Sequence, residues 1–171
     1  QANSFWMIGK DENGDLVHTQ ALKRIEIHDT NLVNYLKAFY SDFSPAGFDI
    51  DYSNSSFAFS PGTKAIRGDV FYHGDLWLYD APRYRGNNTN SLLTLLSVIL
   101  TYIRWSPNFV FGFVPDILAY GGLGARESYL HAEPGVVNWK MINGDNLSGF
   151  IVWNSKEDLE YIIEQGIDRW L

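Results

Sequence analysis

The sequence predicts one α+β domain, a mixed α/β chain in which strands and helices share a single core. Three observations predict it. Two N-terminal strand segments are joined through Asn13-Gly14, a dipeptide suited to tight hairpin turns. A strand, a long apolar helix and a second strand follow one another over residues 76–114, an order that implies a parallel pair with a right-handed crossover. Further strand material then leads into a capped helix near the end of the chain. A length of 171 residues suits one domain, taken as residues 1–171, and neither an internal repeat nor a linker divides it.

In chain order, residues 4–9 and 16–27 form the hairpin strands. Asp29 or Thr30 caps a helix over residues 31–40, where Leu32, Val33, Leu36 and Phe39 recur at helical spacing. Pro45 and Gly47 end it, and the polar stretch 41–63 reads as a long surface loop able to cover a site, with a short strand at Phe57 and Phe59. Residues 64–79 read as two strands or one long bent strand. A loop over residues 80–88 precedes a helix over 89–104 whose apolar residues occupy nearly every side, which predicts burial on its outer side as well as against the sheet. Residues 109–114 are a buried strand, and the helix begun after Pro115 breaks at Gly121-Gly122 and Gly124. Residues 129–132, 136–141 and 150–153 are strand material, with Asn143-Gly144 a turn. Ser155 and Asp158 form a capping box opening a helix over residues 156–164.

Bulk properties exclude several function classes. A net charge of -7 argues against nucleic-acid binding, which draws much of its affinity from basic surface. The absence of cysteine removes disulfides, thiolate nucleophiles and Cys-ligated metals. His18, His28, His73 and His131 show no metal-ligand spacing, so no metal site is expected. The stretch 92–103, interrupted by Thr94, Ser97 and Thr101, is too short and polar to span a bilayer, and no leader is visible. No membrane association is expected, and a cytoplasmic location is.

The chemistry concentrates at residues 76–91. A strand there delivers the chain to a helix N-terminus, where the first-turn N–H groups lack internal partners and the helix dipole favours anions. Gly86 permits close backbone approach, while Asn87, Asn88 and Asn90 suit caps and left-handed conformations. Arg83 and Arg85 add donors for phosphate. A capped helix after an exposed turn would account for the same residues.

Pro82-Arg83-Tyr84-Arg85-Gly86, followed by Asn87 to Asn90, resembles the acetyl-CoA-binding motif of the GCN5-related N-acetyltransferase (GNAT) superfamily. The resemblance covers about residues 64–153. It departs at Asn88 and Asn90, where the family keeps small residues, and at Ala125, where it keeps a helical tyrosine that serves as the acid for the CoA thiolate. It departs also near the N-terminus, where a hairpin here precedes a single helix. The resemblance implies a twisted, mostly antiparallel sheet with one splayed parallel pair, and acetyl-CoA or another acyl-CoA as cofactor. It places Leu78, Tyr79, Asp80, Arg85, Gly86, Asn87, Asn88, Thr89, Asn90 and Ser91 at that cofactor, with backbone N–H near Leu78 on the thioester carbonyl.

For proton transfer, strand alternation puts His73 and Asp75 on one face with Phe71, Trp77 and Tyr79, and the ordinary imidazole pKa suits His73 as a base. Tyr120 is the candidate replacement acid. Arg126, Glu127 and Glu133 are either substrate contacts or surface charge. The implied activity is acyl transfer to an amine, small or peptidic, by direct attack. A non-catalytic ligand-binding module on the same fold is the alternative, motivated by the two asparagines and the missing tyrosine. Residues 41–63 and the last helix suit either an acceptor pocket or a homodimer interface.

Overall fold

The computed structural model describes residues 3–84 and 88–166. Among the described residues seven strands, numbered β1 to β7 along the chain, form one sheet in the order β1-β2-β4-β5-β7-β6-β3. The hairpin is β1 (Ser4–Lys10) and β2 (Leu16–Ile27), turned at Gly14 with φ of 86°. Asn31, and not Asp29 or Thr30, caps α1 (Leu32–Ala38) by accepting from the Asn34 N–H. The stretch expected to be a long loop is mostly irregular, with three short elements set in it: a 3-10 turn (Tyr40–Phe43), β3 (Ser56–Phe57) and α2 (Pro61–Ala65). One long strand, β4 (Gly68–Leu78), occupies most of residues 64–79.

The 17-residue helix α3 (Thr89–Trp105) then crosses to β5 (Phe109–Pro115), which pairs with β4 in parallel. The other strand pairs of the sheet are antiparallel. The short helices α4 (Asp116–Tyr120) and α5 (Leu123–Arg126) are separated by Gly121-Gly122, as the glycines predict. The chain returns through β6 (His131–Lys140), β7 (Asn146–Ser155) and α6 (Lys156–Glu164), whose Ser155/Asp158 capping box is complete.

Two apolar clusters cover the two faces of the sheet. One joins Ile25, Ile27, Val70, Phe111 and Ile151 to Leu32, Val33 and Leu36 of α1. The other joins Leu22, Phe71, Val110 and Val152 to Val98 of α3 and Leu159 of α6. The face of α3 toward the sheet carries Thr94, Leu95, Ser97, Val98 and Thr101, all buried. Ser97 and Thr101 satisfy their hydroxyls on carbonyls one turn back, at Thr94 and Ser97. The outer stripe of Leu92, Leu96, Leu100 and Ile103 is exposed, contrary to the expected cover on that side. Small hydroxyl residues let the helix lie close to the strands, so the polar stripe faces inward and the leucines face solvent.

Two features of β4 position the site. Its ladder with β5 runs only from Val70↔Phe109 to Tyr72↔Phe111, after which the two strands continue without pairing to each other. The strands remain close at Gly112, where a Cβ would lie 2.9 Å from the His73 carbonyl oxygen, and separate beyond it. On its other edge β4 holds a bulge. Between Ala21↔Gly74 and Thr19↔Trp77, Asp75 and Leu76 stand opposite Gln20 alone. Asp75 takes the left-handed conformation that the extra residue requires, with φ of 53°, and Thr19 Oγ1 donates to its carbonyl at 3.1 Å.

Candidate active site

The separation of β4 from β5 opens a cavity of about 590 Å³. Tyr72, Trp77, Phe113 and Trp139 line it from the α1 face of the sheet, and Tyr129, Val152, Leu123 and Glu127 from the α3 face. The cavity therefore passes through the sheet at the strand gap. Phe43 to Ala46 border its α1 side, so part of the 41–63 stretch does cover the site.

The bulge corrects the expected face. His73 pairs with Leu22 and shares the α3 face with Phe71, whereas Trp77 pairs with Thr19 on the opposite face. One inserted residue reverses the alternation, so His73, Asp75 and Trp77 do not form a single row. Asp75 stays exposed at the cavity rim. His73 is buried, and both ring nitrogens are engaged. Gln20 Nε2 donates to the Leu93 carbonyl at 2.8 Å, which fixes that amide. Gln20 Oε1 then accepts from His73 Nε2 at 2.9 Å, and His73 Nδ1 accepts from the Tyr129 hydroxyl at 2.8 Å. Burial, with nearby His18, lowers the His73 pKa to about 4, so the imidazole is neutral near pH 7. Burial also pushes the Tyr129 phenol up.

Glu127, read from sequence as a substrate contact or surface charge, is the titratable group the sequence undervalued. It lies immediately after α5, is 3% exposed and borders the cavity. Burial raises its pKa to about 7, against lowering by Arg126 and by the hydrogen bond from Asn90. Asn90 Nδ2, in the first turn of α3, donates to Glu127 Oε1. This contact spans 37 positions and carries no local sequence signal. Glu133 instead accepts the Gly62 N–H at 2.9 Å, and Arg126 donates to the Gly121 carbonyl.

Tyr120 is misplaced for the expected acid. It is 77% exposed, lies outside the cavity and sets its ring edge-on to Phe150 at 5.1 Å. Ala119, one residue earlier, packs on the α3-face cluster, so the phase of α4 turns Tyr120 outward.

At the loop, Tyr79 N–H donates to the Val17 carbonyl at 2.8 Å, so it belongs to the sheet. Antiparallel alternation then directs the Leu78 N–H away from β2, to the β5 side of the strand, although Leu78 itself does not line the cavity. Asp80 is exposed just past the strand. Asn88 is the left-handed N-cap of α3, with φ of 58° and no side-chain hydrogen bond onto the first turn formed by Thr89, Asn90 and Ser91. Arg83 pairs with Asp11 of the hairpin turn at 2.8 Å. Arg85, Gly86 and Asn87 lie outside the described residues.

No protein-family model matches the sequence, and none of the curated proteins is significantly similar to it. Solved structures are similar in fold. Arabidopsis thaliana NAA60 in complex with acetyl-CoA is 14% identical, with a TM-score of 0.54 over 91% of this chain and 77% of that one. Its complex with a bisubstrate analogue gives 12% identity and 0.51 over 85% and 68%. Mutant forms of the Vibrio cholerae spermidine/spermine N-acetyltransferase SpeG give 8% identity and 0.51 over 94% and 71%. The chain has the GNAT acetyltransferase fold: a mostly antiparallel sheet, one splayed parallel pair and flanking helices.

Proposed function

We propose that the protein is an N-acyltransferase that moves an acyl group from acyl-CoA, in the first instance acetyl-CoA, to an amine. The observation that carries this reading is the cavity through the sheet at the β4–β5 gap, open to the α1 face on one side and to Glu127 and the α3 face on the other. Two substrates meeting in line require such a passage. The residues fit an acyl-CoA: β4 leads through a short loop to the N-terminus of the 17-residue helix α3, where a helix end favours an anion, and the Leu78 N–H points away from β2 on the β5 side of the strand.

Acyl-CoA would supply the activated carbonyl and the thiolate leaving group. The chain's own contribution is positioning and proton handling. The first-turn amides of α3 hold phosphate. The Leu78 N–H donates to the carbonyl oxygen as negative charge develops there. As the neutral amine adds to the carbonyl and the C–S bond breaks, Glu127, held by Asn90 on the α3 side, would give its proton to the leaving sulfur in place of the tyrosine absent at Ala125. The proton lost by the acylated nitrogen would pass to water and restore Glu127. The neutral His73 holds Tyr129 and Gln20 and keeps β2, β4 and α3 in register.

Isothermal titration with acetyl-CoA, followed by assay of CoA thiol release on adding amines, tests this reading. Saturable binding with amine-dependent release supports it. No binding at millimolar acetyl-CoA overturns it.

A further inference from the structure

We propose that the acceptor is a small arylalkylamine, a single primary amine carried on an aromatic or apolar body, and not a polyamine. The inference rests on the acyltransferase reading and adds the chemistry of its second substrate. On the α1 face the cavity is walled by rings: Trp6, Phe43, Tyr72, Trp77, Phe113 and Trp139. Trp6 pairs with Ala21 and Trp77 with Thr19, so both indoles stand on the same face of the two strands that flank β2. They are 56% and 43% exposed. Exposed indoles at a cavity mouth offer stacking area and a negative π face for a cation.

The charges are sparse. Among the described residues lining the cavity, the carboxylates are Asp75 and Glu127, and Glu127 is on the α3 side. Asp75 at the rim is thus the single carboxylate for an incoming ammonium. A polyamine carries several charges at neutral pH. All but one would lack an anionic partner here, and an exposed indole face, which attracts a cation only weakly, offsets only part of that cost. An aromatic body instead replaces water on Trp6 and Trp77 while one ammonium is met by Asp75. The segment Phe43 to Ala46 bounds this side, and a cavity of about 590 Å³ is in the range that encloses small ligands. That favours a small molecule over a folded or extended polypeptide.

The test has two stages on the full chain. Acetyl-CoA affinity is measured first by calorimetry. Thiol release from acetyl-CoA is then followed with tryptamine, phenethylamine, spermidine and a peptide bearing an N-terminal tryptophan. The expected kcat/KM for tryptamine or phenethylamine exceeds that for spermidine by roughly 100-fold, the scale of discrimination by an apolar site. Trp77→Ala is expected to lower it by roughly 10-fold while acetyl-CoA affinity is unchanged, and Trp77→Phe to restore most of it. Spermidine or the peptide turning over as well as the arylalkylamines overturns the inference. So does acetyl-CoA binding with no turnover of any amine, or an unchanged profile in Trp77→Ala. Failure to bind acetyl-CoA at the first stage overturns the acyltransferase reading itself.

Discussion

Glu127 and His73 make opposite demands on pH, and their opposition predicts a stability profile that single substitutions unmask. Glu127 has its pKa raised in the folded protein from 4.5 to about 7. The folded state therefore holds this proton more tightly, and the associated stability is present below pH 4.5 and lost as pH rises to 7. His73 has its pKa depressed from 6.5 to about 4. Its stability is present above pH 6.5 and lost as pH falls to 4. Each displacement is about 2.5 pH units, and at ~1.36 kcal/mol per unit it corresponds to roughly 3 kcal/mol. The two slopes have opposite sign and overlap between pH 4.5 and 6.5, so in the wild type they nearly cancel. Glu127→Gln, which keeps the shape and the Asn90 contact, removes one slope. That variant is expected to lose about 3 kcal/mol more than wild type between pH 6.5 and 4, and to exceed it in stability by a similar amount at pH 8. His73→Gln is expected to show the reverse trend, with stability falling as pH rises from 4.5 to 7. Urea unfolding of all three proteins at half-unit pH steps measures this directly. Parallel profiles for wild type and Glu127→Gln would refute the assignment of a buried, proton-holding carboxyl at this site.

Three further predictions concern the cavity and its walls. If Glu127 protonates the leaving sulfur, kcat falls above about pH 7 with a single ionisation; Glu127→Gln lacks that limb and runs on the order of 10² slower, read by stopped-flow thiol release. Asn90→Ala removes a hydrogen bond that lowers the Glu127 pKa, so the alkaline limb moves upward, and an unmoved limb would separate Asn90 from Glu127 in function. Gly112→Ala sets a Cβ 2.9 Å from the His73 carbonyl oxygen, which forces β4 and β5 apart where the gap begins. A loss of roughly 1–3 kcal/mol in chemical denaturation is expected.

The elements legible in the sequence are those with local causes. Asn13-Gly14 marks a turn by its backbone preferences, and Ser155 with Asp158 closes a capping box between near neighbours. The strand–helix–strand at β4, α3 and β5 is legible from length and apolar content alone. What escaped depends on partners distant in the chain. The bulge at Asp75 exists only against the register of β2, and it moved Trp77 off the face of His73. The inward face of α3 was hidden because leucines surround the helix, and the small hydroxyl residues decided its packing. Glu127 resembles surface charge until Asn90 is brought beside it across α3 and α5. Tyr120 reads as available because a five-residue helix is too short for its pattern to show which face packs inward, and in the fold that face is the one carrying Ala119.

The central claim is that the gap between β4 and β5 is where an acyl thioester meets an amine. Its most direct test is rapid-quench mass spectrometry of stoichiometric protein, acetyl-CoA and tryptamine. Loss of acetyl-CoA should match formation of N-acetylated amine one for one, with no acetylated protein accumulating. Bound acetyl-CoA that stays intact over minutes at saturating amine would contradict the account and leave a ligand-binding module on an acetyltransferase fold.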